Sequence, residues 1–442
     1  MCHTVSFAGR IGTAAVAILS LLPDANAFAP NAQLAFSSRA SELEPLFGEL
    51  ERVKSAGGGT DAAFPVGDFR LFDPEAEGKL QGSGSLSQRI QAGADYVLPP
   101  TYPDGTYLAN GGINSASGMG GELSAGSPPE EAVVMDAQHW LEHLDDNLPV
   151  NFAKPNAPVT ATLLARQRII TPDAPGDIQH IILRLPEGMH YVEGQSLSVI
   201  PPGTDPANGR NHKPRLYSIA STRYGDILDG NTVSLCVRRA EYYDPNTGVA
   251  DPTKKGVCSS FLCDAAPGAT MNVAGPVGKT MLLPKDPNAD VIMIATGTGI
   301  APFRAFLHRL FMEDTVARHM FGGTAWLVLG VPTSGGLLYK EEIDAMMRNA
   351  GPGQLKVDYA ISREMTNPFD GGKLYVQHVM QQNAQELFQR LDSGASCYFC
   401  GLKGMMPPIL DTLEQVAASQ GLDWNAKLKE WKSNHQWHVE VY

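Results

Sequence analysis

Two glycine-bearing segments have the spacing of phosphate-binding loops. Gly297–Gly299 come directly after an apolar run that ends at Thr296. Gly256 precedes a helix-like segment, Val257–Asp264. Backbone N–H groups are free at the start of a helix and the helix dipole is positive there, so either segment can hold a pyrophosphate. A glycine pair alone is a weak signal, and Pro302 stands where the dinucleotide-binding fingerprint has its third glycine, although proline suits a first helical turn.

Cations and hydroxyl groups follow another apolar run near residue 360. Ser362 and Arg363 lie just beyond the strand-like run Lys356–Ile361, and Lys373 and Tyr375 come soon after. A guanidinium, an ammonium group and hydroxyls together suit a phosphate dianion. Scattered surface charge remains the alternative for either cation taken singly. The group as a whole predicts a phosphate-recognition site.

The spacing of two cysteines permits a redox disulfide or a metal site, and neither is the favoured interpretation. Cys397 and Cys400 form a Cys-x-x-Cys pair, yet the sequence has no second pair to complete a zinc site. Cys258 and Cys263 are five residues apart in a helix-like segment, which places them on different faces. Residues 41–149 contain no cysteine, so a thiolate-ligated iron–sulfur domain is excluded there. We expect no metal, with Cys397 as a buried strand residue.

Short β-rich segments separated by turn residues begin at residue 150, a pattern that favours an antiparallel barrel. The expected strands are Val159–Leu164, His180–Leu185, Leu197–Ile200, Arg215–Ala220 and Thr232–Arg238. From Asp290 strands and helices alternate, which predicts a doubly wound parallel sheet. Its expected strands are Asp290–Ala295, Ala325–Leu329, Lys356–Ile361 and Ser396–Cys400, with helices at about 303–314, 340–349, 375–391 and 405–420.

The net charge of −13 belongs to one part of the chain. Residues 41–149 carry 18 acidic and 5 basic side chains, whereas residues 150–442 carry 28 and 27. The first of these parts is rich in glycine and reads as a mostly disordered acidic extension. The second is close to neutral and can hold a local basic patch. No apolar run reaches the roughly 18 to 20 residues that a membrane-spanning helix requires.

Several runs, in order along residues 150–442, resemble ferredoxin–NADP reductases of the plastid type. Arg215–Ser221 resembles the family's flavin-binding strand, and Ile294–Arg304 resembles its NADP pyrophosphate loop almost residue for residue. Cys400–Met405 resembles the loop beside the nicotinamide site, and Trp437–Tyr442 resembles the family's aromatic terminus. The resemblance implies a flavin-binding β-barrel at about 150–286 and an NADP-binding α/β domain at about 287–442.

The resemblance also implies roles for individual residues, with Arg238 standing where the family usually has lysine. FAD contacts are implied for Arg215, Tyr217, Ser218, Cys236, Arg238, Tyr242, Gly256, Val257, Cys258, Ser259 and Tyr442. NADP contacts are implied for Thr298, Gly299, Pro302, Ser362, Arg363, Lys373, Tyr375, Gln377, Gly401, Leu402 and Glu440. Catalytic roles are implied for Ser218, Cys400, Glu440 and Tyr442, and ferredoxin docking for Arg210, Lys213 and Lys432.

The implied activity is electron transfer from two reduced ferredoxins through FAD to NADP⁺, as in photosynthetic electron transport. Flavodoxin as a substitute donor and a thylakoid docking partner are further expectations, and nucleic acid is not an expected partner. Two alternatives remain open. One is a related flavin reductase that serves another acceptor, and the other is a reductase scaffold that acts through its extension as an interaction protein.

The N-terminus has the pattern of a targeting segment. Arg10 precedes an apolar run from Ile11 to Leu22, and Ala25–Ala27 has small residues at the cleavage-recognition positions. Phe28 then opens an acid-poor stretch. This resembles the two-part presequence of algae with complex plastids, which implies a signal peptide at 1–27, a transit segment at 28–40 and a final location in the plastid stroma.

Overall fold

The structure, a computed structural model, describes residues 148–442 apart from 207, 227–229, 245–246, 248 and 314–315. The expected signal peptide, transit segment and acidic extension therefore lie outside the described residues, except for the last two residues of the extension. No helix in the part of the chain that is described is long and apolar enough to cross a membrane.

The first half of the described chain forms a six-stranded antiparallel sheet with the spatial order β4-β3-β8-β1-β2-β5. Its strands are β1 (Val159–Arg168), β2 (Ile178–Arg184), β3 (Ser196–Ile200), β4 (Arg215–Ser218), β5 (Thr232–Arg238) and β8 (Thr270–Val277). An isolated bridge between Ile219 and Leu235 connects the end of β4 to β5, the opposite edge of the sheet. A hairpin of β6 (Glu241–Tyr243) and β7 (Ala250–Lys255) leads into helix α1 (Val257–Asp264). Cys258 and Leu262 of α1 are buried in the core of this sheet.

The second half forms a five-stranded parallel sheet with the order β11-β10-β9-β12-β13. Its strands are β9 (Val291–Thr296), β10 (Ala325–Val331), β11 (Leu355–Ile361), β12 (Ser396–Gly401) and β13 (Trp437–Val441). Its helices are α2 (Ala301–Phe311), α3 (Val316–Met320), α4 (Lys340–Asn349), α5 (Val376–Gln382), α6 (Ala384–Asp392), α7 (Met406–Ser419) and α8 (Trp424–Ser433). Helices α2 and α4 contribute to one apolar core and α5 to α8 to another. The doubly wound parallel sheet expected from the sequence is therefore confirmed.

The order of the parallel strands reverses at β9, since β10 and β11 lie on one side of it and β12 and β13 on the other. In sheets of this kind ligands bind beyond the carboxyl ends of the strands at such a reversal. The 3₁₀ turn Gly297–Ile300 follows β9 directly and leads into α2. The fold thus places the glycine loop at the reversal.

The observed elements differ from the sequence expectations in a few places. The helix expected at 375–391 is two helices, because Asn383 leaves the helical conformation (φ −110°, ψ 22°) and its Nδ2 donates to the carbonyl of Val379 at 2.8 Å. The strand expected to continue to Ala220 ends at Ser218. Strand β8, the β6–β7 hairpin and helix α8 were not among the expected elements.

Candidate functional site

A cavity of about 800 Å³ lies between the two sheets and brings together residues that are distant in sequence. Ten of the residues expected to bind FAD or NADP line it: Tyr217, Ser218, Cys236, Arg238, Thr298, Ser362, Tyr375, Gln377, Leu402 and Tyr442. Cys400, expected to be catalytic, lines it as well. They come from the ends of β4 and β5 on one side and from the carboxyl ends of the parallel strands on the other. The cavity therefore joins the two halves of the fold at their proposed ligand-binding edges.

Ser218 and Cys400 line the cavity, and both lie next to Glu440. The parallel register places Cys400 of β12 directly beside Glu440 of β13. Ser218 Oγ donates to Glu440 Oε2 at 3.4 Å, across 222 residues of sequence. Burial raises the pKa of the Glu440 carboxyl, and burial together with the neighbouring Glu440 raises the pKa of the Cys400 thiol to about 12. At neutral pH the thiol is therefore protonated, and the carboxyl keeps its proton to higher pH than an ordinary glutamate.

The terminal tyrosine lies across the loops at the carboxyl ends of β9 and β12. Tyr442 Oη and Thr298 Oγ1 are hydrogen-bonded at 2.9 Å. The backbone N–H of Tyr442 donates to the carbonyl of Gly401 at 2.9 Å, and its carbonyl accepts from Lys403 N–H at 3.1 Å. The side chain is nevertheless 67% exposed. A side chain held by one hydroxyl contact and open to solvent can leave its place without unpacking a core.

Two glycines allow the loops after β9 and β12 to approach one another. A Cβ at Gly299 would lie 2.1 Å from the carbonyl oxygen of Cys400, a distance too short for any side chain to be accommodated. Gly401 has a φ of +126°, and a Cβ there would lie 2.2 Å from Thr296 Oγ1. The same Thr296 hydroxyl accepts from the backbone N–H of Leu402 at 2.6 Å. The contact requires glycine at both positions.

Helix α1 belongs to the half of the fold that contains the antiparallel sheet, and its N-terminus begins after Gly256. A Cβ at Gly256 would lie 2.5 Å from both Ala240 Cβ and Ser259 Oγ, so this position also requires glycine. Ser259 Oγ accepts from the N–H of Ala240 at 3.0 Å and fixes the preceding hairpin. In the described chain no side chain caps α1, which leaves its first N–H groups available to an anion. Burial raises the pKa of the Tyr217 hydroxyl well above its usual value, with Cys258 of α1 as the next largest cause.

The cations expected to recognise a phosphate are exposed and do not line the cavity. Ser362 lines it, Arg363 is the next residue along the chain, and Lys373 follows later in the same connection between β11 and α5. The backbone N–H of Arg363 donates to the carbonyl of Pro332 at 2.9 Å. The neighbouring carboxylate of Glu364 accepts from Ser334 N–H at 2.8 Å and from Ser334 Oγ at 3.2 Å, so this acid already has partners of its own.

Other expected site residues lie outside the cavity lining. Tyr242 faces Lys254, whose Nζ is 4.3 Å from the ring centroid, and Tyr243 lines the cavity instead. Arg215 is exposed, and its Nη1 donates to the carbonyls of Lys213 and Pro214. Outside the lining are also Gly256, Val257, Cys258, Ser259, Gly299, Pro302, Gly401, Lys373, Arg363 and Glu440. The expected docking cations Arg210, Lys213 and Lys432 are all exposed.

Some residues of the site were not predicted from the sequence. Thr296 ends the apolar run before the glycine loop, and a hydroxyl at that point is a usable signal for a contact with the neighbouring loop. Ile170 and Ile178 line the cavity from the other sheet, and apolar residues in a strand region give no such signal. All five cysteines in the described part of the chain are unpaired and buried, and no group of three or more potential metal ligands occurs among those residues.

Comparison with known proteins agrees with this geometry. A family model described as an oxidoreductase NAD-binding domain matches residues 293–410. The chain is 54% identical over 296 residues to the chloroplastic root isozyme of ferredoxin–NADP reductase from Oryza sativa subsp. japonica, covering 66% of this chain and 78% of the relative. It is 50% identical over 300 residues to the chloroplastic ferredoxin–NADP reductase of Chlamydomonas reinhardtii, covering 67% and 84%.

More distant relatives extend the comparison. The cyanelle ferredoxin–NADP reductase of Cyanophora paradoxa is 47% identical over 297 residues, covering 67% of this chain and 80% of the relative. Among solved structures, a ferredoxin–NADP⁺ reductase from Plasmodium falciparum with 2'P-AMP aligns with a TM-score of 0.53 at 22% identity, over 67% of this chain and 100% of the other. That last likeness concerns the fold alone. Because its relatives match at about half of all positions over most of their length, the chain belongs to the ferredoxin–NADP reductase family.

Proposed function

We propose that this chain is an FAD-dependent ferredoxin–NADP⁺ reductase, which receives electrons from ferredoxin and delivers hydride to NADP⁺. The observation that carries the proposal is the cavity between the sheets. It joins Tyr217 and Ser218 of the flavin-type strand to Thr298 of the NADP-type loop and to Tyr442, and Ser218 is hydrogen-bonded to Glu440 beside it. In this proposal residues 150–286 form the flavin-binding unit, a closed barrel, and residues 287–442 form the NADP-binding unit.

The residues of the first unit suit FAD. The uncapped N-terminus of α1 and the tight turn at Gly256 provide backbone donors for the pyrophosphate, and Arg215 and Arg238 provide charge. Tyr217 offers a half-buried ring to the isoalloxazine. FAD, when bound, takes up electrons singly and gives them up as a hydride. The chain's own part is to hold the ring edge at Ser218 against the loop of the second unit.

The residues of the second unit suit NADP⁺ in the same way. The Gly297–Ile300 turn at the start of α2 receives the pyrophosphate, and Arg363 with Lys373 receives the 2'-phosphate. Tyr442 occupies the place that the nicotinamide must take, so it has to move for the reaction. Its single hydroxyl contact with Thr298 and its exposed position make that movement inexpensive.

Proton supply is assigned to the Ser218–Glu440 pair. NADPH formation from two reduced ferredoxins consumes one proton. Glu440, with its raised pKa, holds a proton beside Ser218 at the cavity, and Ser218 Oγ lies within reach to pass it on. Cys400 stays protonated and uncharged, which keeps the nicotinamide side of the cavity free of a competing anion.

Partner and location complete the proposal. The acidic ferredoxin docks on cations around the cavity mouth, with Arg210, Lys213 and Lys432 as candidates, and flavodoxin can use the same surface. The enzyme works in the plastid stroma, reached through the signal peptide at 1–27 and the transit segment at 28–40. The acidic extension at 41–149 is then available for a thylakoid-associated partner.

The direct test begins with the purified full-length chain. We expect the protein to be yellow with one bound FAD, and NADPH to support its reduction of ferricyanide while NADH does so poorly. A colourless protein that does not bind added FAD would contradict the proposal. So would a flavoprotein that NADPH does not reduce.

A further inference from the structure

A buried ionic cluster connects the two sheets beside the cavity. Arg304 of α2 is 2% exposed, and its guanidinium is fully engaged. Nε and Nη2 donate to the two carboxylate oxygens of Glu342 at 2.7 and 3.1 Å. Nη1 donates to Asp226 Oδ1 at 2.9 Å and to the backbone carbonyl of Ala220 at 2.8 Å. One side chain of the parallel-sheet unit therefore holds both a carboxylate and a backbone carbonyl of the other unit.

Further buried groups fix the partners of Arg304. His180 Nε2 and Ser234 Oγ contact Asp226 Oδ2 at 2.7 and 2.6 Å, so Asp226 is held by two strands of its own sheet. His180 Nδ1 is 2.9 Å from the hydroxyl of Tyr339, whose ring lies 4.9 Å from the guanidinium carbon of Arg304. On the other side, His308 Nε2 contacts Glu342 Oε2 at 2.7 Å. The guanidinium has a defined direction because each of its acceptors is fixed in turn.

The position of the cluster along the chain is more informative than its contribution to stability. A buried ion pair is weak support for stability, because desolvation offsets much of the attraction. Ala220, however, is two residues beyond Ser218, and Arg304 is two residues beyond Pro302. The rise is about 3.3 Å per residue in a strand and about 1.5 Å in a helix. Measured along the chain, Ala220 therefore lies within roughly 8 Å of Ser218, and Arg304 lies within the same distance of the NADP loop.

We propose that Arg304 is a positioning residue for hydride transfer, which sets the distance between the flavin edge at Ser218 and the NADP loop at Gly297–Ile300. The proposal rests on the function proposed above. In the reaction the C4–H bond of NADPH breaks with both its electrons, NADP⁺ is released, and the hydride is received at flavin N5. Such a transfer is sensitive to small displacements, since about 1 Å of misplacement can cost a hundredfold in rate.

Arg309 on the same helix provides a matched comparison. It is also 2% exposed, and its Nε lies 3.6 Å from Glu193 of the other unit, which in turn pairs with Arg223 at 2.8 Å. Arg309 therefore contributes to the same interface between units. It lies five residues farther along α2 from the NADP loop than Arg304 does. Both arginines can stabilise the interface between the two units, whereas the proposal gives the positioning role in hydride transfer to Arg304 alone.

The test compares Arg304→Lys with Arg309→Lys in the FAD-loaded full chain. A lysine cannot reproduce the forked contacts to Glu342 and Ala220. We expect Arg304→Lys to slow flavin reduction by NADPH in stopped flow by about tenfold or more. It also weakens the nicotinamide–flavin charge-transfer absorbance with NADP⁺. The affinity of Arg304→Lys for 2',5'-ADP, which has no nicotinamide, remains within about twofold of the wild type. The control variant Arg309→Lys reduces its flavin within about twofold of the wild-type rate.

The proposal is overturned if Arg304→Lys reduces its flavin at the wild-type rate with full charge-transfer absorbance. It is also overturned if Arg309→Lys slows the reaction equally, since the effect would then follow from interface stability. If Arg304→Lys fails to fold, Glu342→Gln replaces it in the test, because this variant keeps the guanidinium but removes one charged acceptor. Flavin reduction by NADPH at the wild-type rate in Glu342→Gln would contradict the positioning role. Failure of the proposed function looks different, because the wild-type flavin itself would then not be reduced by NADPH.

Discussion

Glu440 shows how the environment of one residue sets its chemistry. Burial raises the pKa of its carboxyl, and the hydrogen bond from Ser218 lowers it by less. A raised pKa means that the group still carries a proton at pH values where an exposed glutamate is ionised. As pH rises through that pKa the proton is lost, and any rate that depends on it falls. The pH dependence of the forward reaction therefore reports on Glu440.

We predict a descending limb in the pH profile of NADPH formation from reduced ferredoxin, with a midpoint above the ordinary glutamate value of 4.5. Glu440→Gln keeps the shape of the side chain but cannot release a proton, so its rate is lower and this limb is lost. Glu414→Gln, at an exposed carboxyl on α7, is the control and keeps the wild-type profile. The profiles are measured as steady-state rates of NADPH formation from acidic to neutral pH for the wild type and both variants. A Glu440→Gln profile with an unchanged limb would remove Glu440 from the proton route.

At the scale of elements, the β-strand ends explain why so much of the site was visible in the sequence. Carboxyl ends of parallel strands meet at one edge, so residues that follow β9 and β12 can converge, and a Cβ at Gly299 would lie 2.1 Å from the carbonyl oxygen of Cys400. The break at Asn383 was not visible, because the two helices share one apolar period and the deviation depends on a single side-chain contact. Tyr242 and Tyr243 illustrate another limit, since adjacent aromatics in a short exposed hairpin give no signal for which one lines the cavity.

The segment after β11 carries its own prediction. Arg363→Ala combined with Lys373→Ala is expected to weaken NADPH at least tenfold and NADH little, because each charge-assisted hydrogen bond to the 2'-phosphate is worth about 1.5–3 kcal/mol. The control is Arg348→Ala with Lys429→Ala, which removes the same charge from exposed helical positions. Steady-state KM values for the two cofactors measure the effect. Equal weakening of NADPH and NADH would place the 2'-phosphate elsewhere.

At the scale of the whole molecule, the contact between the two units could not be predicted from the sequence. Arg304 and Asp226 are separated by 78 residues. Nothing in local periodicity or turn chemistry links such a pair. Arg304 ends the run Ile294–Arg304, and that run gives no sign of its buried partners in the other unit. Motif order predicted which halves exist, and the buried polar contacts between them required the structure.

The distribution of charge along the chain bears on how the protein attracts an acidic partner. Most of the net charge of −13 lies in residues 41–149, and the remainder of the chain is nearly neutral. We therefore expect an acidic ferredoxin to be attracted by local cations and not by the overall charge. Attraction of this kind mainly accelerates encounter, and it weakens with salt because the screening length is about 8–10 Å at physiological ionic strength.

The most direct test of the account is electron transfer from NADPH to cytochrome c by the full-length chain, with and without plant-type ferredoxin. The account predicts little transfer without ferredoxin, a large and saturable increase when ferredoxin is added, and a decrease of that increase at high salt. NADPH-to-ferricyanide activity, measured in parallel, confirms that the flavin site is intact under each condition. An enzyme that reduces ferricyanide fully yet transfers electrons to cytochrome c at the same rate with and without ferredoxin would contradict the account.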